Sequence, residues 1–123
     1  MQTALEAVHE YYKVFSTLDV NAIVSCYCEP CMTIAPQGVS SAANRAALAG
    51  LLAPLLAGLR AKGYGRSEFV QTNVTMLGET AALVRGVAVR YTAAGPEMER
   101  VPLSYLMHRG EAGWKIAALV VES

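Results

Sequence analysis

Hydrophobic residues recur every three to four positions through the first half of the chain. Between Thr3 and Thr17 they form a single stripe, which predicts an amphipathic helix. Asp19 follows at once and is suited to cap a second, short helix, because its carboxylate can accept the free amides of a new turn. This second helix is predicted over Val20 to Cys28 and ends at Pro30.

A third helix is predicted from a leucine-rich stretch that Ser41 or Asn44 could cap and that extends to about Lys62. Pro54 lies inside it and removes one main-chain hydrogen bond, so the helix is expected to kink or split there. Its inward positions are expected to be six leucines: Leu48, Leu51, Leu52, Leu55, Leu56 and Leu59.

After Gly65 the period of the hydrophobic pattern changes from near four to two, which is typical of strands. The short segment Cys31 to Pro36 also alternates and predicts a strand, whereas residues 37–41 (QGVSS) are predicted to be a loop. Short connections that contain glycine favour antiparallel neighbours for the strands of the second half. These are predicted over Ser67–Leu77, Ala81–Ala93, Glu99–Arg109 and Trp114–Val121.

The order of these elements predicts one α+β domain over residues 1–123. Its curved antiparallel or mixed sheet would be wrapped by three N-terminal helices. The last strand is apolar on both faces, although an antiparallel sheet usually leaves one face to water. We therefore expect helices on one face and a second copy of the chain on the outer face, which gives a homodimer.

Composition narrows the range of partners. Ten basic and ten acidic residues cancel and no cluster of Lys or Arg occurs, which argues against nucleic acid binding. The start of the chain does not resemble a signal peptide and no apolar run is long enough to span a bilayer, so we expect no membrane partner and a cytoplasmic location. Hydrophobic residues make up 54% of the chain, and the excess is expected at an interface or around a cavity.

Three cysteines, Cys26, Cys28 and Cys31, are close together in sequence, but a zinc site would need further ligands. His9 and His108 are both remote from them. The better interpretation is free, buried thiols in a reducing compartment, with no metal and no cofactor.

The whole chain resembles the nuclear transport factor 2-like superfamily, including its ketosteroid isomerase-like and SnoaL-like members. The resemblance rests on the order and spacing of EYYKVFSTLDVNAIVSCY, the segment MTIAPQGV and the closing hairpin G-x-x-G-W-K-I around Trp114. It implies a cone-shaped, cystatin-like α+β roll with a pocket at its wide end and dimerisation through the sheet. The superfamily contains enzymes and binding proteins alike, so the fold alone does not imply an activity.

In ketosteroid isomerases a tyrosine and a protonated aspartic acid form the oxyanion hole, and a second aspartate moves the proton. The resemblance places the tyrosine at Tyr11, the general base at Ala35 and the oxyanion acid near Ser104, so both carboxylates are missing. Asp19 is the only aspartate in the chain, and capping accounts for it. We therefore expect no isomerase, epoxide hydrolase or dehydratase chemistry in the known forms.

Weak catalytic candidates remain in Tyr11, which could also be a core tyrosine, and in His108, which could also be structural. Arg85 and Arg90 lie on opposite faces of one strand, so one of them could reach the pocket. The residues expected to bind a ligand are Tyr11, Tyr27, Ala35, Val84, Ser104, Leu106, Ala118 and Glu122.

Two functional hypotheses stay open. The first is a dimeric protein that binds a small, mostly apolar molecule in its pocket, with scope for an isomerase- or cyclase-like activity. The second is a non-catalytic dimerisation or interaction module, in which the surplus apolar sheet face is the functional surface.

Overall fold

The computed structural model describes residues 2–122, in which three helices come mostly before a six-stranded sheet. The helices are α1 (Ala4–Phe15), α2 (Val20–Val24) and α3 (Arg45–Ala61). The strands are β1 (Tyr27–Ala35), β2 (Gly38–Ala42), β3 (Tyr64–Leu77), β4 (Ala81–Thr92), β5 (Glu97–Gly110) and β6 (Gly113–Val121).

The strands form one curved, unclosed sheet in the order β2-β1-β6-β5-β4-β3. Strand β1 runs parallel to β6, and every other neighbouring pair is antiparallel. The predicted α+β class with a mixed sheet is therefore confirmed. We call the face packed against the helices the inner face and the opposite one the outer face.

Side-chain caps fix where the helices begin. Thr3 and Glu6 form a reciprocal capping box at the start of α1, with bonds of 3.1 and 2.8 Å. Asp19 caps α2 as predicted and accepts a bond of 3.1 Å from the amide of Asn21. Of the two candidate caps for α3, Asn44 is the one used, and it accepts a bond of 2.8 Å from the amide of Ala47.

Two boundary predictions around β1 are wrong. Residues 37–41 are not a loop, because Gly38 takes a positive φ of 146° and lets the chain turn back at once into β2. The second helix ends at Val24 rather than Cys28, since Tyr27 already pairs with Ile116 of β6. Pro30 therefore lies inside β1, where the pairing with β6 shifts register and no ladder amide is required.

Helix α3 also differs from expectation. It does not split at Pro54, because buried leucines on both sides of the proline, Leu48 and Leu56, hold its two halves against the rest of the protein. The expectation that all six leucines point inward is wrong for Leu51 and Leu55, which are 53% and 40% exposed. These two leucines lie at the edge of a cavity instead.

The core lies between α1, α2 and the inner face of the sheet. Its most deeply buried side chains come from two helices and three strands: Val8, Ile23, Val84, Met107 and Ile116. The prediction that Trp114 packs into the core is confirmed. Among the described residues, no helix is long and apolar enough to cross a membrane.

Candidate functional site

The inner face of the sheet is not filled along its whole length. Beyond the core, a cavity of about 710 Å³ opens between α1, α3 and the strands. Leucines of α3 form one wall: Leu48, Leu51, Leu52 and Leu55. Apolar side chains of the sheet face them across the cavity: Ala88, Val101, Leu103, Leu119 and Val121.

Two hydrogen-bonded pairs of tyrosines separate the cavity from the core. The hydroxyls of Tyr11 and Tyr27 lie 2.7 Å apart, and those of Tyr12 and Tyr105 lie 2.8 Å apart. Tyr11 and Tyr12 are consecutive on α1 and so point about 100° apart, which lets one reach β1 and the other β5. All four side chains are buried, and all four line the cavity.

The rings of these tyrosines pack edge to face around Tyr11. Its ring centroid lies 5.5 Å from that of Tyr27 and 5.8 Å from those of Tyr12 and Tyr105. Phe15 and Phe69 extend the cluster, with Phe69 lying 5.0 Å from Tyr12. Interlocked rings of this kind hold the hydroxyls in fixed positions.

Burial sets the protonation state of this cluster. It raises the pKa of Tyr11 and of Tyr105 well above the ordinary value, and it also raises the pKa of Tyr12 and of Tyr27. The Arg90 guanidinium lowers the pKa of Tyr12 in part, but burial has the larger effect. The four hydroxyls are therefore neutral near pH 7 and can act as hydrogen-bond donors rather than as bases.

Each tyrosine pair has a hydrogen to spare. A pair contains two O–H hydrogens and only one of them lies in the bond between the oxygens. The second hydrogen of each pair has no acceptor among the described residues. A ligand oxygen that enters the cavity would supply one.

Among the described residues, two charged ones line the cavity, Arg90 and Glu122. Arg90 forms an ion pair with Glu99, and its guanidinium lies 5.8 Å from the centroid of the Phe15 ring. Glu122 is held by Arg85, which donates two bonds of 3.0 and 2.6 Å to its carboxylate. The carboxylate of Glu122 is thus engaged by Arg85, which lies on the face of β4 opposite Arg90.

Half of the sequence-predicted ligand residues lie on the cavity wall: Tyr11, Tyr27, Ala35 and Glu122. The other half do not. Ser104 and Leu106 lie on the outer face, because in β5 it is the odd-numbered residues, Leu103 and Tyr105 among them, that face the helices. Val84 has no exposed surface and belongs to the core, where it pairs with Tyr105.

Ala118 does not line the cavity either, and the reason is a bulge in β6. Met107 pairs with Ile116, but its neighbour Leu106 pairs with Ala118, so Ala117 is an extra residue in β6. Beyond this bulge the two faces are exchanged, and Leu119 rather than Ala118 faces the cavity.

The two catalytic candidates are not brought together. Tyr11 lies on the cavity wall, whereas His108 is exposed on the outer face, opposite Ala81 and Lys115. The ligand residues predicted from the sequence include neither Tyr12 nor Tyr105, and the sequence does not decide which of Tyr11 and Tyr12 faces the pocket. Their signal in the sequence is weak, because a second tyrosine on a helical stripe and a tyrosine in an apolar strand are both ordinary core residues.

No group of three or more potential metal ligands occurs among the described residues. The three cysteines are free, and Cys31 is buried. Burial raises the pKa of each of the three thiols. These thiols are therefore protonated near neutral pH rather than reactive thiolates.

Comparison with solved structures agrees with this architecture. An NTF2-like protein with a cystatin-like fold from Novosphingobium aromaticivorans superposes with a TM-score of 0.75 at 22% identity, over 94% of this chain and 76% of that one. An NTF2-like protein of unknown function from Shewanella oneidensis gives 0.73 at 17% identity, over 97% and 95% of the two chains. A proposed scytalone dehydratase from N. aromaticivorans gives 0.71 at 18% identity, over 97% and 80%.

These likenesses show the fold alone, because the identities are low. No curated protein matches the chain. The model of the NTF2-like protein family DUF6841, in contrast, matches residues 2–123, nearly the whole sequence. The chain therefore belongs to this NTF2-like family.

Proposed function

We propose that this protein binds a small, mostly apolar molecule that carries a hydrogen-bond-accepting oxygen. The observation that carries the proposal is the cavity lined by two tyrosine pairs, each with one hydroxyl hydrogen to spare. A volume of about 710 Å³ suits a small organic ligand. Apolar walls with a few fixed polar groups are typical of such sites.

The side chains that line the cavity are better suited to binding a ligand than to catalysing a proton transfer. A general base must reach the proton that it removes, and its pKa must suit the working pH. The tyrosines stay protonated, Glu122 is held by Arg85, and His108 lies on the other face of the sheet. An isomerase-, cyclase- or dehydratase-like step would have to proceed with neutral tyrosine hydroxyls alone.

A matched pair of probes tests the proposal. The probe 2-acetylnaphthalene has a carbonyl oxygen, and 2-ethylnaphthalene has nearly the same shape without it. Calorimetry is expected to show tighter binding of the ketone, by up to about tenfold, since one hydrogen bond contributes roughly 0.5–1.5 kcal/mol. Failure of both probes to bind would overturn the proposal.

A double variant tests whether the pairing of the hydroxyls orients them for the ligand. The double variant Tyr11→Phe, Tyr12→Phe keeps the rings but removes one hydroxyl from each pair, leaving the remaining hydroxyl of each pair able to donate. The pairing that orients it is lost, so the preference for the ketone is expected to shrink. Tyr91→Phe is the matched control, because Tyr91 lies outside the cavity and bonds Glu68.

We further propose that the protein forms a homodimer through its outer sheet face. Large apolar side chains lie exposed there, among them Met32, Ile34, Val39 and Leu106. Adjacent exposed apolar side chains on a sheet are a common sign of a protein interface. Dimerisation and ligand binding use opposite faces of the sheet, so the two roles are compatible.

Sedimentation of the wild type and two variants tests the dimer. Leu106→Glu places a charge on the outer face and is expected to give a monomer. Met76→Glu is the control, because Met76 is 51% exposed and lies opposite Ala82, on the inner side of the sheet. A monomeric wild type at micromolar concentration would contradict the dimer and leave the ligand site untouched.

A further inference from the structure

Arg90 is the only cation among the described residues that line the cavity. Its side chain is only 20% exposed, although arginines usually keep their charge in water. It reaches the cavity because it lies on the same face of β4 as Ala88 and because its guanidinium approaches the ring of Phe15. A partly desolvated guanidinium beside an apolar space strongly favours an anionic partner.

Most of the hydrogen-bonding capacity of Arg90 is unused. A guanidinium has five N–H donors on three nitrogens, and the bond to Glu99 uses one terminal nitrogen, Nη1. No acceptor for its Nε or its Nη2 occurs among the described residues. Two parallel N–H donors are the arrangement that a carboxylate accepts in a bidentate manner.

Glu99 is the acid that a ligand would have to share or displace. Its side chain is 44% exposed, so it can turn into solvent, and ion pairs with an exposed partner are weak. The other acid of the wall, Glu122, does not compete for Arg90, because two bonds hold it to Arg85.

The second tyrosine pair lines the same cavity as this cation. Arg90 acts electrostatically on Tyr12, whose hydroxyl bonds Tyr105, and this pair has a hydrogen to spare. A ligand with its anion at Arg90 would therefore meet a neutral donor in the same cavity as well as the guanidinium.

We propose that the ligand of this cavity is an apolar carboxylic acid whose carboxylate binds Arg90, while its hydrocarbon body lies against the α3 leucines. This inference rests on the proposed binding function and names the class of ligand. Displacement of Glu99 by the ligand carboxylate keeps the charge of Arg90 balanced, so no bare ion is left behind in the complex.

Calorimetric titration with 2-naphthylacetate and its neutral counterpart 2-naphthylacetamide tests the inference. The wild type is expected to bind the acid at least about tenfold more tightly than the amide, because a charge-assisted bidentate contact is stronger than a neutral one. Arg90→Met is expected to abolish that preference, and Arg90→Lys to keep part of it. Glu99→Gln is expected to strengthen binding of the acid and to leave the amide unchanged.

Arg100→Met is the matched control. It removes one positive charge from the neighbouring strand, where Arg100 pairs with Glu97 outside the cavity, and the preference for the acid is expected to persist. Thermal unfolding of each variant verifies that it folds. If Arg90→Met does not fold, the binding of the acid and the amide to Arg90→Lys and Glu99→Gln decides whether Arg90 holds the carboxylate.

The outcomes separate this inference from the function on which it rests. If 2-acetylnaphthalene binds but the acid does not bind more tightly than the amide, the carboxylate preference is wrong and the cavity remains a binding site. An acid preference that survives Arg90→Met also overturns the inference. If none of the naphthyl probes binds, the proposed function itself fails.

Discussion

The two ends of the layer between helices and sheet are built from the same elements but packed differently. At one end Val8 of α1, Met107 of β5 and Ile116 of β6 have almost no exposed surface. At the other end the same three elements carry Phe15, Leu103 and Leu119, and these face a cavity of about 710 Å³. The change from core to cavity occurs within single helices and strands.

The border between the two ends is a layer of tyrosines. Tyrosine suits this border because its ring packs like a core residue and its hydroxyl needs a polar partner. Tyr11, Tyr12, Tyr27 and Tyr105 satisfy each other in pairs, so the border is stable without a ligand. One end therefore provides stability, and under the proposed function the other end binds the ligand.

Alkaline pH is expected to have the largest effect, because it acts on all four border tyrosines together. Their pKa values are raised by burial, so the unfolded chain loses these protons above about pH 10 while the folded chain keeps them. The unfolded state then binds fewer protons, and the free energy of unfolding falls by about 1.4 kcal/mol per pH unit for each tyrosine. Their contribution is fully present below pH ~10 and is lost above it.

Urea unfolding at pH values between ~8 and ~11, followed together with tyrosinate absorbance, measures this loss. The absorbance is expected to rise with unfolding rather than before it. If these tyrosines ionised in the folded protein near their ordinary pKa, water would have to reach their hydroxyls, which would contradict a buried border.

The second largest effect is expected when side chains at the two ends are truncated to alanine, because the loss of stability should differ between the ends. Ile116→Ala removes a side chain with no exposed surface and is expected to lower the free energy of unfolding by about 2–5 kcal/mol. Leu51→Ala, at a residue that is 53% exposed on the cavity edge, is expected to change it by roughly 0.5 kcal/mol or less. Urea unfolding of both variants checks the contrast, and equal losses would show that the cavity end is as well packed as the core.

A smaller effect on stability is expected from a substitution in β4 that crowds the aromatic rings next to the border tyrosines. At Gly86 an added Cβ would lie 2.6 Å from Cζ of Phe69, and Phe69 packs against Tyr12 and Tyr105. Gly86→Ala is therefore expected to cost about 1–3 kcal/mol, because the crowded ring has to move the border tyrosines. Gly58→Ala in α3 is the control, because an added Cβ there meets no atom within 4 Å. It is expected to raise the free energy of unfolding by up to ~1 kcal/mol. If thermal unfolding showed that both substitutions raise, or both lower, the stability, the account would be contradicted.

The elements of the fold were largely predictable, because their signals are local. The stripe on α1, the Asp19 cap and the glycine-containing hairpins each act over a few residues. Strand β2 was missed because its pairing depends on a turn at Gly38 rather than on any apolar pattern of its own. Helix α3 does not split at Pro54, because the packing of buried leucines on both sides of it outweighs one lost hydrogen bond.

The site was predictable only in part, because it depends on which face of a strand each residue occupies. The bulge at Ala117 exchanges which residues of β6 face the cavity and which face outward. No residue type in that strand predicts such a bulge. On β5 both alternating sets contain apolar residues, so the pattern could not favour Tyr105 over Ser104. Tyr11 was found through the family resemblance, but its bond to Tyr27 joins residues that are far apart in sequence.

The central claim is that the cavity end binds a ligand, and blocking the cavity tests it most directly. Leu55 lines the cavity and is 40% exposed, so Leu55→Trp can fill part of the space without disturbing the core. Met76→Trp, on the inner side of β3 but outside the cavity, is the control. Calorimetric titration with 2-acetylnaphthalene is expected to show one binding event per cavity for the wild type and for Met76→Trp, and a loss of binding for Leu55→Trp. Binding that is unchanged in Leu55→Trp would contradict the account.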